Sequence, residues 1–207
     1  MEFVELKPRQ VMNYFKSGNK VGMGMFGILY EYDYDSLIKL YYREYMDAYK
    51  SKRVRDFKRD IKLNLEMMLY NYDFNRNKRL FELEKRLRNT SSREFLKAIV
   101  TNSEYRIGII EPYYKGYDIL SDKIYDFSTS QKKYILEKVR EKIFELFEAG
   151  IFPLDIKGDN ILLNDDMDVK LIDLDGDDVR LQDNDYSDYR KECERNLIEM
   201  EYRLLRD

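Results

Sequence analysis

The chain has 207 residues, 43% of them apolar, which is enough to bury a real core in one domain or in two small lobes sharing a cleft. Its 37 basic and 40 acidic residues leave a net charge of -3, so bulk charge selects neither nucleic acid nor membrane. The lack of histidine excludes Ser-His-Asp and Cys-His triads and the usual zinc sites, leaving chemistry to carboxylates, lysines and backbone amides.

The opening "MEFVELKPRQ" lacks the apolar core of a signal peptide, and no apolar run nears the roughly 18 residues of a membrane span. With a single cysteine, Cys193, and therefore no intramolecular disulfide, the expectation is a cytoplasmic protein with no membrane partner. Residues 19 to 41 predict three short strands, "NKVGM", "GILYEYD" and "SLIKLYY", with a glycine-rich turn after the first and "DYDS" after the second. From Tyr42 to about Asn71 the pattern becomes helical and strongly charged. Its segment Ala48 to Lys62 carries seven basic residues against Asp56 and Asp60. That segment reads either as a solvated helix face or as a surface for a protein partner, a nucleic acid or an acidic substrate.

A second helix, near Arg79 to Arg88, places Leu80, Leu83 and Leu87 on one face. Two strands follow, "FLKAIVT" and "RIGIIE", joined by "NSEY", and then the extended "EPYYKGYD". A boundary between an N-terminal lobe (1–112) and a C-terminal lobe (113–207) is expected there. Ile135, Val139, Ile143, Leu146 and Phe147 form the apolar stripe of a helix from about Ser130 to Gly150, where glycine is placed to stop it. A strand "ILL", a turn "NDDMD" and a strand "VKLID" come next. A last helix from about Asp188 carries Tyr189, Cys193, Leu197, Met200 and Leu204 at helical spacing, which makes Cys193 a core residue rather than a nucleophile.

Three of the nine glycines, Gly22, Gly24 and Gly27, fall in "VGMGMFGILY". A dinucleotide-binding fingerprint would lead into a helix, whereas here a strand follows and a hairpin return carries Lys39. A glycine hairpin lets the backbone approach phosphates, with Phe26 at its tip able to close over them. Downstream, "LDIKGDNILL" sets Asp155, Lys157 and Asn160 close together, and Asp173 follows Asn160 by thirteen residues in "VKLIDLD".

These four motifs, in this order, resemble the protein-kinase-like fold: the glycine-rich loop, the "LIKLY" strand that presents a lysine to ATP, the catalytic loop and the metal-binding turn. The resemblance covers about residues 19 to 178 and implies an α+β, two-lobed fold, with an antiparallel N-terminal sheet plus helix and a reduced, mainly helical C-terminal lobe. It implies an ATP- and magnesium-dependent phosphotransferase acting on a hydroxyl, foremost a protein Ser/Thr, the chain itself included; a sugar or other small molecule is the alternative. A nucleotide-binding regulatory module without transfer is the competing class. In the roles so implied, Asp155 orients the acceptor hydroxyl and takes its proton, Lys157 contacts the γ-phosphate, and Asn160 and Asp173 hold magnesium. Lys39 grips the α- and β-phosphates, steadied by a helix glutamate. Glu84, at the edge of the leucine stripe, is preferred to Glu82 and Glu66. Glu111 and Tyr113 offer backbone groups to adenine, and Ile110 lines the back of its pocket.

The chain departs from the family where Pro153 and Leu154 replace the histidine and arginine that commonly precede the catalytic aspartate, which argues against control by a phosphorylated activation loop. Asp175 stands where glycine usually ends the metal-binding turn, as a further ligand or a stiffener of the loop. That "IDLD" turn is similar to those of RIO-type and lipopolysaccharide sugar kinases. Only 34 residues follow Asp173, so the large helical platform that holds peptide substrates is expected to be mostly absent, as in a minimal, atypical kinase of bacterial or viral type.

Overall fold

The structure is a computed structural model and describes residues 2–23, 27–41, 74–102, 105–176, 178–182 and 187–206. The charged helix expected from Tyr42 to Asn71, with the basic segment 48–62 and Glu66, lies outside the described residues, as do Gly24 and Phe26. The protein is mixed α and β, with an N-terminal sheet and C-terminal helices. It divides into two compact units, Met1–Arg79 with Leu96–Tyr113, and Leu80–Phe95 with Tyr114–Asp207. No helix among the described residues is long and apolar enough to cross a membrane.

The N-terminal unit is built on one six-stranded sheet. Its strands are β1 (Glu2–Glu5), β2 (Lys20–Met23), β3 (Gly27–Glu31), β4 (Ser36–Tyr41), β5 (Ala98–Asn102) and β6 (Tyr105–Pro112), in the order β1-β5-β6-β4-β3-β2. β1 runs parallel to β5; the other neighbours are antiparallel. The three strands expected between residues 19 and 41 are β2, β3 and β4. β1 and the helix after it, α1 (Pro8–Ser17), were not expected from the sequence. Proline in its first turn has a φ pre-set for helix, and Gln10 Oε1 accepts from the Lys7 N–H at 2.9 Å. Val11, Tyr14 and Phe15 then share a face, and the two aromatic rings meet Tyr30 at centroid distances of 5.7 and 6.1 Å.

This packing sorts the residues of the sheet. Leu6, Val11, Tyr30, Ile38, Leu40, Ala98, Val100 and Ile110 form one buried cluster with the rings of α1 beside it. Side chains alternate along a strand, so Lys39, between Ile38 and Leu40, points to the opposite face, opposite Ile109 in register. Gly27 has a packing reason of its own, because a Cβ there would stand 2.8 Å from the Leu40 carbonyl oxygen. At the β3–β4 turn Lys97 Nζ donates to the Asp35 carboxylate at 2.8 Å, to the Asp35 carbonyl and to Ser36 Oγ. The Lys97 bond to its carboxylate, followed by that from the Ser36 hydroxyl, pulls the exposed Asp35 carboxyl down to about 2.

The C-terminal unit is centred on helix α4. Helix α2 (Phe74–Leu87) enters the unit at Leu80, and α3 (Leu120–Lys123), α4 (Thr129–Glu148) and α5 (Ser187–Arg206) follow. Between them lie β7 (Asp118–Ile119), β9 (Ile161–Leu163) and β10 (Val169–Leu171) in one small sheet, ordered β10-β9-β7. The antiparallel pair β8 (Ile151–Pro153) and β11 (Val179–Leu181) forms another. α4 starts where the sequence predicts, because Ser128 and Gln131 form a capping box, with the Ser128 N–H donating to Gln131 Oε1 at 3.0 Å. Its stripe of Ile135, Val139, Ile143, Leu146 and Phe147 is buried, and Phe147 stacks on Phe152 of β8 at 5.4 Å. α5 buries Cys193, Leu197, Met200 and Leu204 against α4 and β8. Burial, together with Glu192 and Glu194, pushes the Cys193 thiol up to about 12, as befits a core residue.

The segment Leu80–Phe95, expected with the N-terminal lobe, packs instead within the C-terminal unit. Leu80, Leu83, Leu87 and Phe95 are buried, and Arg86 Nη1 donates to the carbonyls of Ala149, Gly150 and Gln182 at 3.0 to 3.3 Å. The Ser91 N–H donates to the Glu145 carboxylate of α4 at 2.9 Å. Side-chain burial therefore runs toward α4, although the chain order alone would place this helix with the strands on either side of it.

Candidate active site

In the C-terminal unit the chain leaves β8 at Pro153, crosses an extended passage, makes one 3-10 turn at Gly158–Asn160 and enters β9. The turn is tight because Gly158 lies against α3, where a Cβ would meet Ser121 Cβ at 2.9 Å and the Ser121 hydroxyl donates to Asp159 at 2.6 Å. β9 pairs with β10 in a register that continues one step further, with the Ile172 N–H donating to the Asn160 carbonyl at 3.0 Å. That continuation carries Asp173 up beside the 3-10 turn. Asp155, Lys157, Asn160 and Asp173 consequently line one pocket, floored by Ile143, Ile156, Leu171 and Leu174.

Within this pocket one carboxylate organises two donors. Lys157 Nζ donates to Asp155 Oδ2 at 2.5 Å, and Asn160 Nδ2 donates to the same oxygen at 3.3 Å and to the Asp155 carbonyl at 2.9 Å. Asp155 Oδ1 is left without a protein donor among the described residues, and the side chain is 44% exposed. Because the Asn160 amide donates through its nitrogen, its Oδ1 remains available as an acceptor. The bond to Asp155 raises the Lys157 pKa above the ordinary lysine value against the cost of partial burial, and the negative charges of Asp155, Asp159 and Asp173 add to the effect. Lys157 is therefore a fixed cation beside three carboxylates.

Asp173 has a second distinction. Its φ of 61° lies in the left-handed region, which Asp tolerates better than most residues but which still costs energy. The only other non-glycine with positive φ among the described residues is Met167, at the tip of the β9–β10 hairpin, where the turn geometry requires it. Asp175 occupies the following turn and does not line the pocket. The additional carboxylate there is Asp178, whose backbone carbonyl also accepts from the Leu154 N–H at 3.0 Å. Nothing in the sequence distinguished Asp178 from its acidic neighbours, since its place comes from the β8–β11 pairing.

Among the described residues no group of three or more Asp, Glu, Cys or His side chains is arranged to hold a metal ion. Asn160 and Asp173 supply one amide oxygen and one carboxylate. Such a pair fits magnesium, which is commonly held by one or two carboxylates with water and substrate phosphate completing the shell.

Of the remaining described candidates, Glu84 and Glu82 lie in the C-terminal unit and the others in the N-terminal unit. Ile110 is in the cluster under α1, on the face away from Lys39, and the residue sharing Lys39's face is Ile109. Of the Tyr113 backbone groups, the N–H donates to the Asp35 carbonyl at 2.9 Å. Glu84 lies in the C-terminal unit and accepts from Arg88 Nε at 3.0 Å and Nη2 at 3.1 Å, as an i,i+4 pair on α2. Glu82 pairs with Arg86. Lys39 sits on β4 and is only 8% exposed, and Glu111 pairs in register with Leu37. Gly22, on β2, differs from Gly27: a Cβ there would meet nothing closer than a Leu29 side-chain carbon at 3.4 Å, so the protein's own packing does not demand glycine. No family model and no curated protein matches this sequence.

Proposed function

We propose that the protein is an ATP- and magnesium-dependent phosphotransferase of the protein-kinase-like fold, moving a γ-phosphate to a hydroxyl, with a protein Ser/Thr, including its own, ahead of a sugar or other small molecule. The observation that carries this reading is the pocket shared by Asp155, Lys157, Asn160 and Asp173, which brings together the carboxylates, the cation and the amide that phosphoryl transfer asks for. Asp155 Oδ1 can accept the acceptor hydroxyl's proton as its oxygen bonds to the γ-phosphorus and the bond to the β-phosphate oxygen breaks, releasing ADP. Lys157, already protonated, can turn from Asp155 to a phosphate oxygen. Asn160 Oδ1 and the Asp173 carboxylate would hold magnesium, which when bound neutralises phosphate charge. Gly22 and Lys39 of the N-terminal unit are assigned to the nucleotide, Gly22 because its missing side chain is not required by its neighbours in the protein.

The test is release of ADP from MgATP, with and without candidate protein and sugar acceptors, by wild type, Asp155→Ala and Asp173→Ala. Each substitution should cost at least about 100-fold in kcat. Wild-type turnover no greater than that of either variant, with nucleotide still raising Tm, would favour the regulatory module. If MgATP leaves Tm unchanged, the nucleotide site itself is wrong.

A further inference from the structure

Asp155 is held from both sides by peptide groups whose orientations are fixed. On its C-terminal side, the Asp155 carbonyl accepts from Asn160 Nδ2 at 2.9 Å. On its N-terminal side, the Leu154 carbonyl accepts from Asn196 Nδ2 of α5 at 2.6 Å, and the Leu154 N–H donates to the Asp178 carbonyl at 3.0 Å. One turn of α5 earlier, Cys193 Sγ donates to the Pro153 carbonyl at 3.1 Å. The φ and ψ of Asp155 are the rotations between its two flanking peptide planes, and those angles set the direction of its Cα–Cβ bond. Each plane is therefore pinned through its oxygen by an asparagine, Asn160 from the catalytic passage and Asn196 from a helix 42 residues later than Leu154.

We propose that Asn196 is a positioning residue for the chemistry at Asp155, acting through the Leu154–Asp155 peptide and setting the direction in which the carboxylate points. The proposal rests on the phosphotransfer reading above. The side chains that α5 buries at Cys193, Leu197, Met200 and Leu204 would serve the core equally well if position 196 were any polar residue, so packing alone does not call for an amide aimed at this carbonyl. A carbonyl that loses its donor allows its peptide plane to turn, and a carboxylate displaced by about 1 Å is enough to cost up to about 100-fold in rate.

Steady-state ADP release from MgATP separates this role from a structural one. Asn196→Ala and Asn196→Asp, the second nearly isosteric but unable to donate, should lower kcat about 10- to 100-fold with KM for MgATP within about twofold of wild type. Asn196→Gln, which keeps the donor on a longer arm, should recover part of that loss. Ile198→Ala, on the exposed face of the same helix, should turn over like wild type. In an Asp155→Ala background, Asn196→Ala should have no further effect on kcat, because the two act in one chain of cause. Should Asn196→Ala fail to fold, Asn196→Asp carries the same expectation. A fall in Tm with kcat per folded molecule unchanged overturns the positioning role while leaving the phosphotransfer reading intact. An equal further loss in the Asp155→Ala background also overturns it. Absence of wild-type turnover overturns the phosphotransfer reading, and the positioning role with it.

Discussion

Asp173 shows how much of a site can be set by one backbone angle. The sequence names it through its spacing from Asn160, but spacing says nothing of φ, and the left-handed value follows from the chain having to leave β10 and turn at once into Leu174–Gly176. Asparagine tolerates this region about as well as aspartate, whereas a β-branched residue does not. Asp173→Asn should therefore keep stability within about 0.5 kcal/mol of wild type. Asp173→Val should lose about 1–3 kcal/mol in urea unfolding. Both should lose MgATP turnover, Asn because a neutral amide is a poorer magnesium ligand and Val because it offers none. Equal stabilities for the two variants would show that the left-handed backbone is not maintained in solution. Lys39 teaches a related lesson: the strand pattern foretold its position, but its face was decided by α1 claiming Ile38 and Leu40, and this also puts Ile110 on the face away from Lys39 and Ile109 in line with it.

At the scale of elements, the end of α4 is held by two features that work together. Gly150 adopts φ of 70° as the helix stops, and Arg86 of α2 donates to the carbonyls of Ala149 and Gly150 at the helix end and of Gln182 just after β11. The glycine stop is legible in the sequence; the arginine is not, because its partners lie 63 to 96 residues away and are backbone atoms with no sequence signature. A Cβ at position 150 would come within 2.2 Å of Arg86 Nη1 and 2.4 Å of the Gln182 carbonyl oxygen. Gly150→Ala should cost about 1–2 kcal/mol from the backbone angle alone, and more from that collision. Arg86→Ala should cost about 1–3 kcal/mol by removing a charged donor shared by three carbonyls, of which that of Gly150 keeps the Gln182 N–H. Since loss of the guanidinium removes one of the two collisions at 150 and leaves only that with the Gln182 carbonyl, the double variant should lose less than the two single losses together, with a coupling of about 0.5–3 kcal/mol. Urea midpoints of the four proteins measure this directly, and strict additivity would mean that Arg86 does not occupy the helix end.

For the whole molecule, legibility follows the range over which each element's cause acts. Strands β2 to β6 and helices α4 and α5 declare themselves through local periodicity, caps and turns, and all were expected close to where they lie. β1 and α1 were missed because four strand residues and a ten-residue helix carry too little periodic signal without the Tyr30 surface they pack on. The β8–β11 pair was missed because three-residue strands exist only by virtue of each other. α5 both closes the core and, through Asn196, holds the Leu154 carbonyl. Its Leu197, Met200 and Leu204 are each at least 94% buried, worth about 1.5–3 kcal/mol apiece. Together they amount to much of the roughly 5–15 kcal/mol by which a whole domain is stable. Ending the chain after Gln182 should therefore abolish the cooperative unfolding of the C-terminal unit and expose dye-binding apolar surface, and with them eliminate the MgATP turnover proposed above, rather than leave a weakened fold. A truncated chain that still unfolds cooperatively with its urea m-value reduced only in proportion to its length would show that α4 and the small sheets suffice, and that α5 is an appendage to a core complete without it.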